Sequence, residues 1–144
     1  MKSVYQTYKP ITARKNVELT LEVNEQAVDI FVDEGRTIQV LKNLIENALR
    51  YTEINGKIIL SVTTDEKVHL SVKDNGSGID AADLPFVFDR FYKADKSRGG
   101  NSGKMGLGLA ICKVLVNAQG GEIKAISVGK GLGTTIEISF PSAR

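Results

Sequence analysis

The spacing of apolar residues changes period several times along the chain. From Val17 to Val23, VELTLEV alternates apolar and polar residues, the pattern of a strand with one buried face; AVDIFV, from Ala27 to Val32, supplies a partner, so the fold is expected to open with a hairpin. Between Arg36 and Tyr51 the period lengthens. Ile38, Leu41, Leu44, Ile45 and Ala48 share one side of a helix, and Asn43, Asn47 and Arg50 fall on the other. TEING is turn material, after which KIILSVTT and KVHLSVKD return to period two as an antiparallel pair with Asp65 and Glu66 at its tip. That pair ends at Asp74.

DNGSGI follows, and then a short helical piece near DAADLPFVFDRFY, whose first turn Asp80 can cap. From Lys93 to Lys104 the chain is polar and glycine-rich and reads as a mobile loop. Leu107 to Ala118 is an almost wholly apolar helix, stopped at Gly120 and Gly121. EIKAISV and TTIEISF make a last hairpin around GKGLG, and Pro141 closes the sheet. The opening SVYQTYKPITARK is short of the caps and periodicity of a complete element. This order of elements predicts an α+β fold, a two-layer sandwich of a mixed β-sheet with helices packed on one face.

Composition narrows the function classes. A chain of 144 residues, 42% of them hydrophobic, suits one domain with a real core. Its 19 basic and 17 acidic residues nearly cancel, to +2, which leaves no footprint of a general nucleic-acid binder; any anion must be held locally. Cys112 is the single cysteine, so no intramolecular disulfide forms; it is read as buried in a helix, and a reducing compartment fits. No stretch approaches the roughly 20 apolar residues of a membrane span, and MKSVYQTYKP is not a signal peptide. A soluble, cytoplasmic piece of a longer protein is expected.

Three groups of residues carry candidate chemistry. Asparagine is a mediocre helix former, yet Asn43 and Asn47 sit one turn apart with Arg50 on the same stripe. Alone, the stripe suits a solvated helix face; it also suits a metal-nucleotide, since an amide oxygen can ligate Mg²⁺ and an arginine can hold phosphate. Asp74, followed by Gly76 and Gly78, makes either an Asp-Asn-Gly turn or a rigid carboxylate that accepts from an amino group such as the exocyclic amine of adenine. In GKMGLGLAICK, glycines stand directly before an apolar helix, which suits a flexible turn or a close backbone approach to phosphate at the positive helix end.

Taken in order, NLIENALRY, DNGSGI, FDRF, GLGLA and GLGTT resemble the N, G1, F, G2 and G3 boxes of the catalytic and ATP-binding domain of bacterial sensor histidine kinases, within the gyrase, Hsp90, histidine kinase and MutL superfamily. The resemblance runs from about Tyr8 to Pro141. It implies a domain for residues 15–144, with 1–14 as the end of a connection from a preceding dimerisation and phosphoacceptor module. It implies ATP and Mg²⁺ as cofactors, with Asn47 ligating the metal, Asn43 beside it, and Arg50 on phosphate where most members have lysine. Arginine's planar fork is not equivalent to that lysine. Tyr51 would pack on adenine and Asp74 would accept from its amine. Gly76, Gly78 and Ile79 would shape the pocket, supported by Gly131, Gly133 and Thr134. Phe88 and Phe91 would anchor the ATP lid, and are also plain core at that spacing; Arg90 or Lys93 would reach the phosphates. Gly106, Leu107 and Gly108 would cradle them at the helix start. Met105 replaces the usual small hydroxyl residue, and Lys104 is a substitute phosphate ligand or a surface charge.

The activity so implied is transfer of the γ-phosphate to a histidine on the separate module, for onward transfer to a response regulator. His69, the only histidine, lacks the pattern around a phosphoacceptor and is read as structural or solvent-facing. A self-standing superfamily ATPase carries a general-base glutamate where Asn43 stands, which disfavours that alternative. An anti-sigma serine kinase fits FDRF and GLGLA less well, and a degenerate nucleotide-sensing module is opposed by Asn47, Asp74 and the paired glycines. The partners implied are ATP, the phosphoacceptor module and the response regulator, with no nucleic acid. The isolated domain is expected to be monomeric and not itself in the membrane.

Overall fold

A computed structural model describes residues 2–23, 33–78, 86–88, 102–127, 131 and 133–141, with the backbone alone at 2, 34 and 102–108. Its elements are α1 (Lys2–Arg14), β1 (Glu18–Val23), α2 (Glu34–Tyr51), β2 (Lys57–Thr64), β3 (Lys67–Asp74), α3 (Ser102–Ala118), β4 (Glu122–Ile126) and β5 (Thr134–Pro141). The strands form one mixed sheet in the order β1-β2-β3-β5-β4, with β1 parallel to β2 and the other neighbours antiparallel. The predicted α+β sandwich is the observed architecture.

Register explains the two faces. Leu60 stands opposite Val72, Val72 opposite Ile136, and Ile136 opposite Ala125, so an apolar row crosses the sheet. With Ile58, Val68, Leu70, Ile138 and Phe140 it meets the buried stripe of α2, namely Val40, Leu41, Leu44, Ile45 and Ala48, together with Cys112 and Val116 of α3. Each such fully buried aliphatic side chain contributes roughly 1.5–3 kcal/mol. The alternate strand positions, among them Lys57, Ser61, His69, Ser71, Lys73 and Glu137, turn to the other face. There His69 lies 2.8 Å from Glu137 and 3.1 Å from Asp65 at its two ring nitrogens, which bears out a structural histidine.

Two elements differ from the pattern-based reading. Residues 2–14, which lack an obvious period, form a helix despite Pro10. Val4, Tyr8 and Thr12, spaced at i, i+4 and i+8, are all buried, and the helix closes with Asn16 at φ 57°, a left-handed cap. Packing, rather than propensity, holds this segment helical. The Tyr8 hydroxyl donates to Glu46 Oε1 at 3.0 Å; burial first, and then this carboxylate, push the phenol up to about 12. β1 pairs in parallel with β2. The hairpin partner expected at 27–32 lies outside the described residues, as does most of the short helical piece expected from 80 to 92.

The second difference is at α3. The apolar run predicts a start at Leu107, and the helix starts at Ser102. Leu109, Cys112, Leu115 and Val116 are buried and fix the helix. Extending an existing helix costs far less than nucleating one, so it runs back through glycines that propensity alone would exclude. Its other end is as expected. Gly120 adopts φ +78°, and the Gly121 N–H donates to the Val116 carbonyl at 3.0 Å.

Candidate functional site

Asp74 is the last residue of β3 and stands in register with Ile58 on one side and Thr134 on the other. It is 7% exposed, one of few buried ionisable side chains among the described residues. Its Oδ1 accepts the Gly76 N–H at 2.9 Å, and the Thr134 N–H also donates to the carboxylate. Burial raises this carboxyl above its ordinary value, and the two backbone donors only partly offset the rise. The result is a carboxylate held in one orientation at the end of a rigid strand.

Close backbone contacts shape the chain around it. A Cβ at Gly76 would lie 2.3 Å from the Tyr51 carbonyl oxygen, so only glycine lets the turn after β3 pass the C-terminus of α2. There the Ser77 N–H donates to that same carbonyl at 3.2 Å. Gly133 has φ +81°, and a Cβ on it would lie 2.2 Å from the Asp74 carbonyl oxygen. The Ser127 hydroxyl anchors it by donating to the Gly133 carbonyl at 2.9 Å. Tyr51, Asp74, Gly76, Gly133 and Thr134 are thus brought together as the motifs imply. Gly78 and Gly131, at φ +72° and +80°, occupy the same two turns.

Sequence reasoning missed Asn75. Its Oδ1 accepts the Lys57 N–H at 2.8 Å and its own N–H donates to the Lys57 carbonyl at 3.2 Å, so its side chain prolongs the ladder between β2 and β3 past their ends. The preference of asparagine for mimicking backbone in turns is the signal that marks it.

The asparagine stripe lies on α2. Asn43 and Asn47 are partly buried and Arg50 is exposed. Asn47 Oδ1 is buried and meets no hydrogen-bond partner among the described residues. Leaving such an acceptor unsatisfied costs about 1–3 kcal/mol. A hard cation would satisfy it, so the residue fits Mg²⁺. Among the described residues no cluster of three or more His, Cys, Asp or Glu side chains is placed to hold a metal. Asn43 contacts the buried Cys112 thiol of α3, which burial pushes up to about 11.

Gly106, Leu107 and Gly108 lie within α3, at its fifth to seventh residues, rather than at the helix start. From the fifth residue onward an α-helix bonds its own N–H groups, so the free amides belong to residues 102–105. The helix thus starts ahead of the three residues expected at its N-terminus. Phe88 is partly buried against the core, beside the fully buried Val87. Ile79, Arg90, Phe91 and Lys93 lie outside the described residues, as do the side chains of Lys104 and Met105. A pocket of about 380 Å³ opens where the 53–56 turn, Asn75, Gly76, Ser77 and Gly131 meet. Its described lining includes Gly76 and Gly131 of the site's two turns, but neither Asn47 nor Asp74.

A buried carboxylate in a glycine-walled turn, next to a helix carrying an orphan amide oxygen, defines a class of nucleotide-binding domain. The chain belongs to that class: residues 32–144 match the family described as histidine kinase-, DNA gyrase B- and HSP90-like ATPase. It is 40% identical over 134 residues to the sensor histidine kinase WalK of Bacillus subtilis, covering 91% of this chain and 22% of that protein. The catalytic domain of the histidine kinase ThkA superposes with a TM-score of 0.81 at 27% identity, over 97% of this chain and 88% of that one. Full-length ShkA in complex with AMPPNP gives 0.83 at 29% identity, over 99% of this chain and 29% of that one. The chain is therefore homologous to the ATP-binding catalytic domain of sensor histidine kinases, and it spans about a fifth of the curated relative's length.

Proposed function

We propose that this chain binds Mg-ATP and passes the γ-phosphate to a histidine on a separate dimerisation and phosphoacceptor module, from which a response regulator receives it. The observation that carries this reading is the buried, unpartnered Oδ1 of Asn47. Family membership and the AMPPNP held by ShkA support it. Residues 1–14 would lead from the preceding module, and the domain acts as a monomer on the cytoplasmic side.

Within this site Asp74 accepts from the adenine amine, and Tyr51 packs on the ring. Asn47 holds the metal with Asn43 beside it, and Arg50 neutralises phosphate charge. The transfer breaks the bond to the leaving ADP oxygen and forms a P–N bond to histidine; Mg²⁺ held by Asn47 would supply charge neutralisation at the phosphates. The residues of the chain position the nucleotide and supply charge; they need no base, consistent with asparagine at position 43. His69 is engaged by two carboxylates on the polar face of the sheet and is not the acceptor.

Calorimetric titration with ATP, with and without Mg²⁺, tests the reading. Wild-type protein is expected to bind more tightly with the metal. Asp74→Asn is expected to weaken binding by about 10- to 100-fold, the range for losing a charge-assisted hydrogen bond. An Asp74→Asn protein that binds as well as wild type would remove the adenine assignment.

A further inference from the structure

Two Asn-Gly pairs, Asn55-Gly56 and Asn75-Gly76, line the same pocket from different turns. Asn-Gly is prone to spontaneous cyclisation, because glycine puts no Cβ in the way of its own nitrogen as that nitrogen attacks the asparagine amide carbon. The attack needs the asparagine side chain to swing onto the main chain. In that respect the two pairs differ.

The Asn75 side chain is committed to β2: its Oδ1 accepts the Lys57 N–H at 2.8 Å. The Gly76 nitrogen is committed as well, donating to the buried Asp74 carboxylate at 2.9 Å. Asn55 is exposed, and its side chain meets no hydrogen-bond partner among the described residues. Its N–H donates to the Asn16 carbonyl at 2.7 Å, and the Gly56 N–H donates within the turn, to the Glu53 carbonyl at 2.9 Å. The main chain at 55 is held, and the side chain is left to turn.

We propose that Asn55 is a site of spontaneous modification, converted through a cyclic imide to isoaspartate and aspartate, and that the isoaspartate loosens the nucleotide site through Asn75. The Gly56 nitrogen bonds to Asn55 Cγ while its proton passes through water to the departing NH₂, which leaves as ammonia. Water then opens the imide. Breaking the bond from the Gly56 nitrogen to Cγ gives aspartate; breaking the bond to the main-chain carbonyl carbon gives isoaspartate, whose main chain runs through Cβ and Cγ and is longer by an atom. Gly56 has no room for that atom: even a Cβ there would lie 2.2 Å from Thr52 Cγ2 and 2.8 Å from the Glu53 carbonyl oxygen. The displacement passes to Lys57, whose two bonds to Asn75 hold the chain next to Asp74. The effect on ATP rests on the Mg-ATP reading above; the modification does not.

The test is to age the purified protein in warm, mildly alkaline buffer and to map isoaspartate by peptide mass spectrometry with isoaspartyl methyltransferase labelling. The isoaspartyl form, separated by its added negative charge, is then titrated with Mg-ATP. Isoaspartate is expected at 55 and not at 75, with affinity lowered about 3- to 10-fold, the scale of one hydrogen bond. Asn55→Gly, which suits the φ of 70° at this position and has no amide, is expected to age without loss. Absence of isoaspartate at 55, or equal conversion at 75, overturns the proposal. So does an isoaspartyl form that binds Mg-ATP as well as fresh protein, or an equal loss on ageing Asn55→Gly. Fresh wild type that binds no ATP overturns the Mg-ATP reading instead; the peptide map then decides the modification, and the Lys57 and Asn75 ¹⁵N–¹H resonances, expected to shift in the isoaspartyl form, decide the loosening.

Discussion

Two pairs of glycines belong to the motifs, and the backbone shows why the fold demands one of them. At Gly76 and Gly133 main chains nearly touch, and any side chain would strike a carbonyl oxygen at 2.3 or 2.2 Å. Gly106 and Gly108 lie in α3, in a backbone conformation that every residue adopts. Helix geometry gains nothing from them. Each glycine in a helix interior costs about 0.8–1 kcal/mol relative to alanine. Under the proposed reading, the second pair lets the triphosphate approach the helix. Glycine required by structure and glycine required by ligand look alike in a sequence; close backbone contacts identify the first kind.

Substitution sharpens the contrast, because the two sets should respond with opposite sign. Gly133→Ala combines a left-handed φ with a backbone clash and is expected to cost about 3 kcal/mol or more in urea denaturation. An unchanged midpoint would show that the two turns can simply move apart. Gly106→Ala is expected to stabilise the unliganded protein by about 0.5–1 kcal/mol while weakening ATP binding severalfold. Lost stability there would mean that the fold, not the ligand, needs this glycine.

The smallest effect concerns the carboxylate between the demanding glycines. Burial raises Asp74, so the folded protein takes up its proton more readily than the unfolded chain. Its contribution is fully present below the unfolded carboxylate value, about 3.9, and is lost as pH rises through the higher folded value. Wild type should therefore gain stability relative to Asp74→Asn as pH is lowered from about 7 to below about 4. Denaturant midpoints at both pH values check this, and a pH-independent difference would argue against a buried, costly charge.

Period-two alternation made β2, β3, β4 and β5 legible in the sequence, and the α2 stripe was equally plain. These elements have one apolar face, and that face alone determines their direction. α1 was not legible, because Val4, Tyr8 and Thr12 make a buried face from one aliphatic, one phenol and one hydroxyl, interrupted by Pro10. The parallel pairing of β1 was hidden too, since a strand's own pattern does not name its neighbour. At the site, Asp74 and Asn47 stand where the motifs imply, on a strand end and a helix. Asn75 escaped notice because it acts by pairing with the Lys57 backbone rather than through a spacing.

The strand order carries one more consequence. β3 pairs on one side with β2, its immediate predecessor, and on the other with β5, which lies far along the chain. A ribosome delivers the β2–β3 hairpin early, but Asp74 waits for the Thr134 N–H and for the Gly133 turn until β5 has emerged and docked. Under the proposed reading, a half-made chain offers no adenine pocket. Cellular ATP, which stabilises only what it binds, would then favour the finished fold over every intermediate that lacks β5.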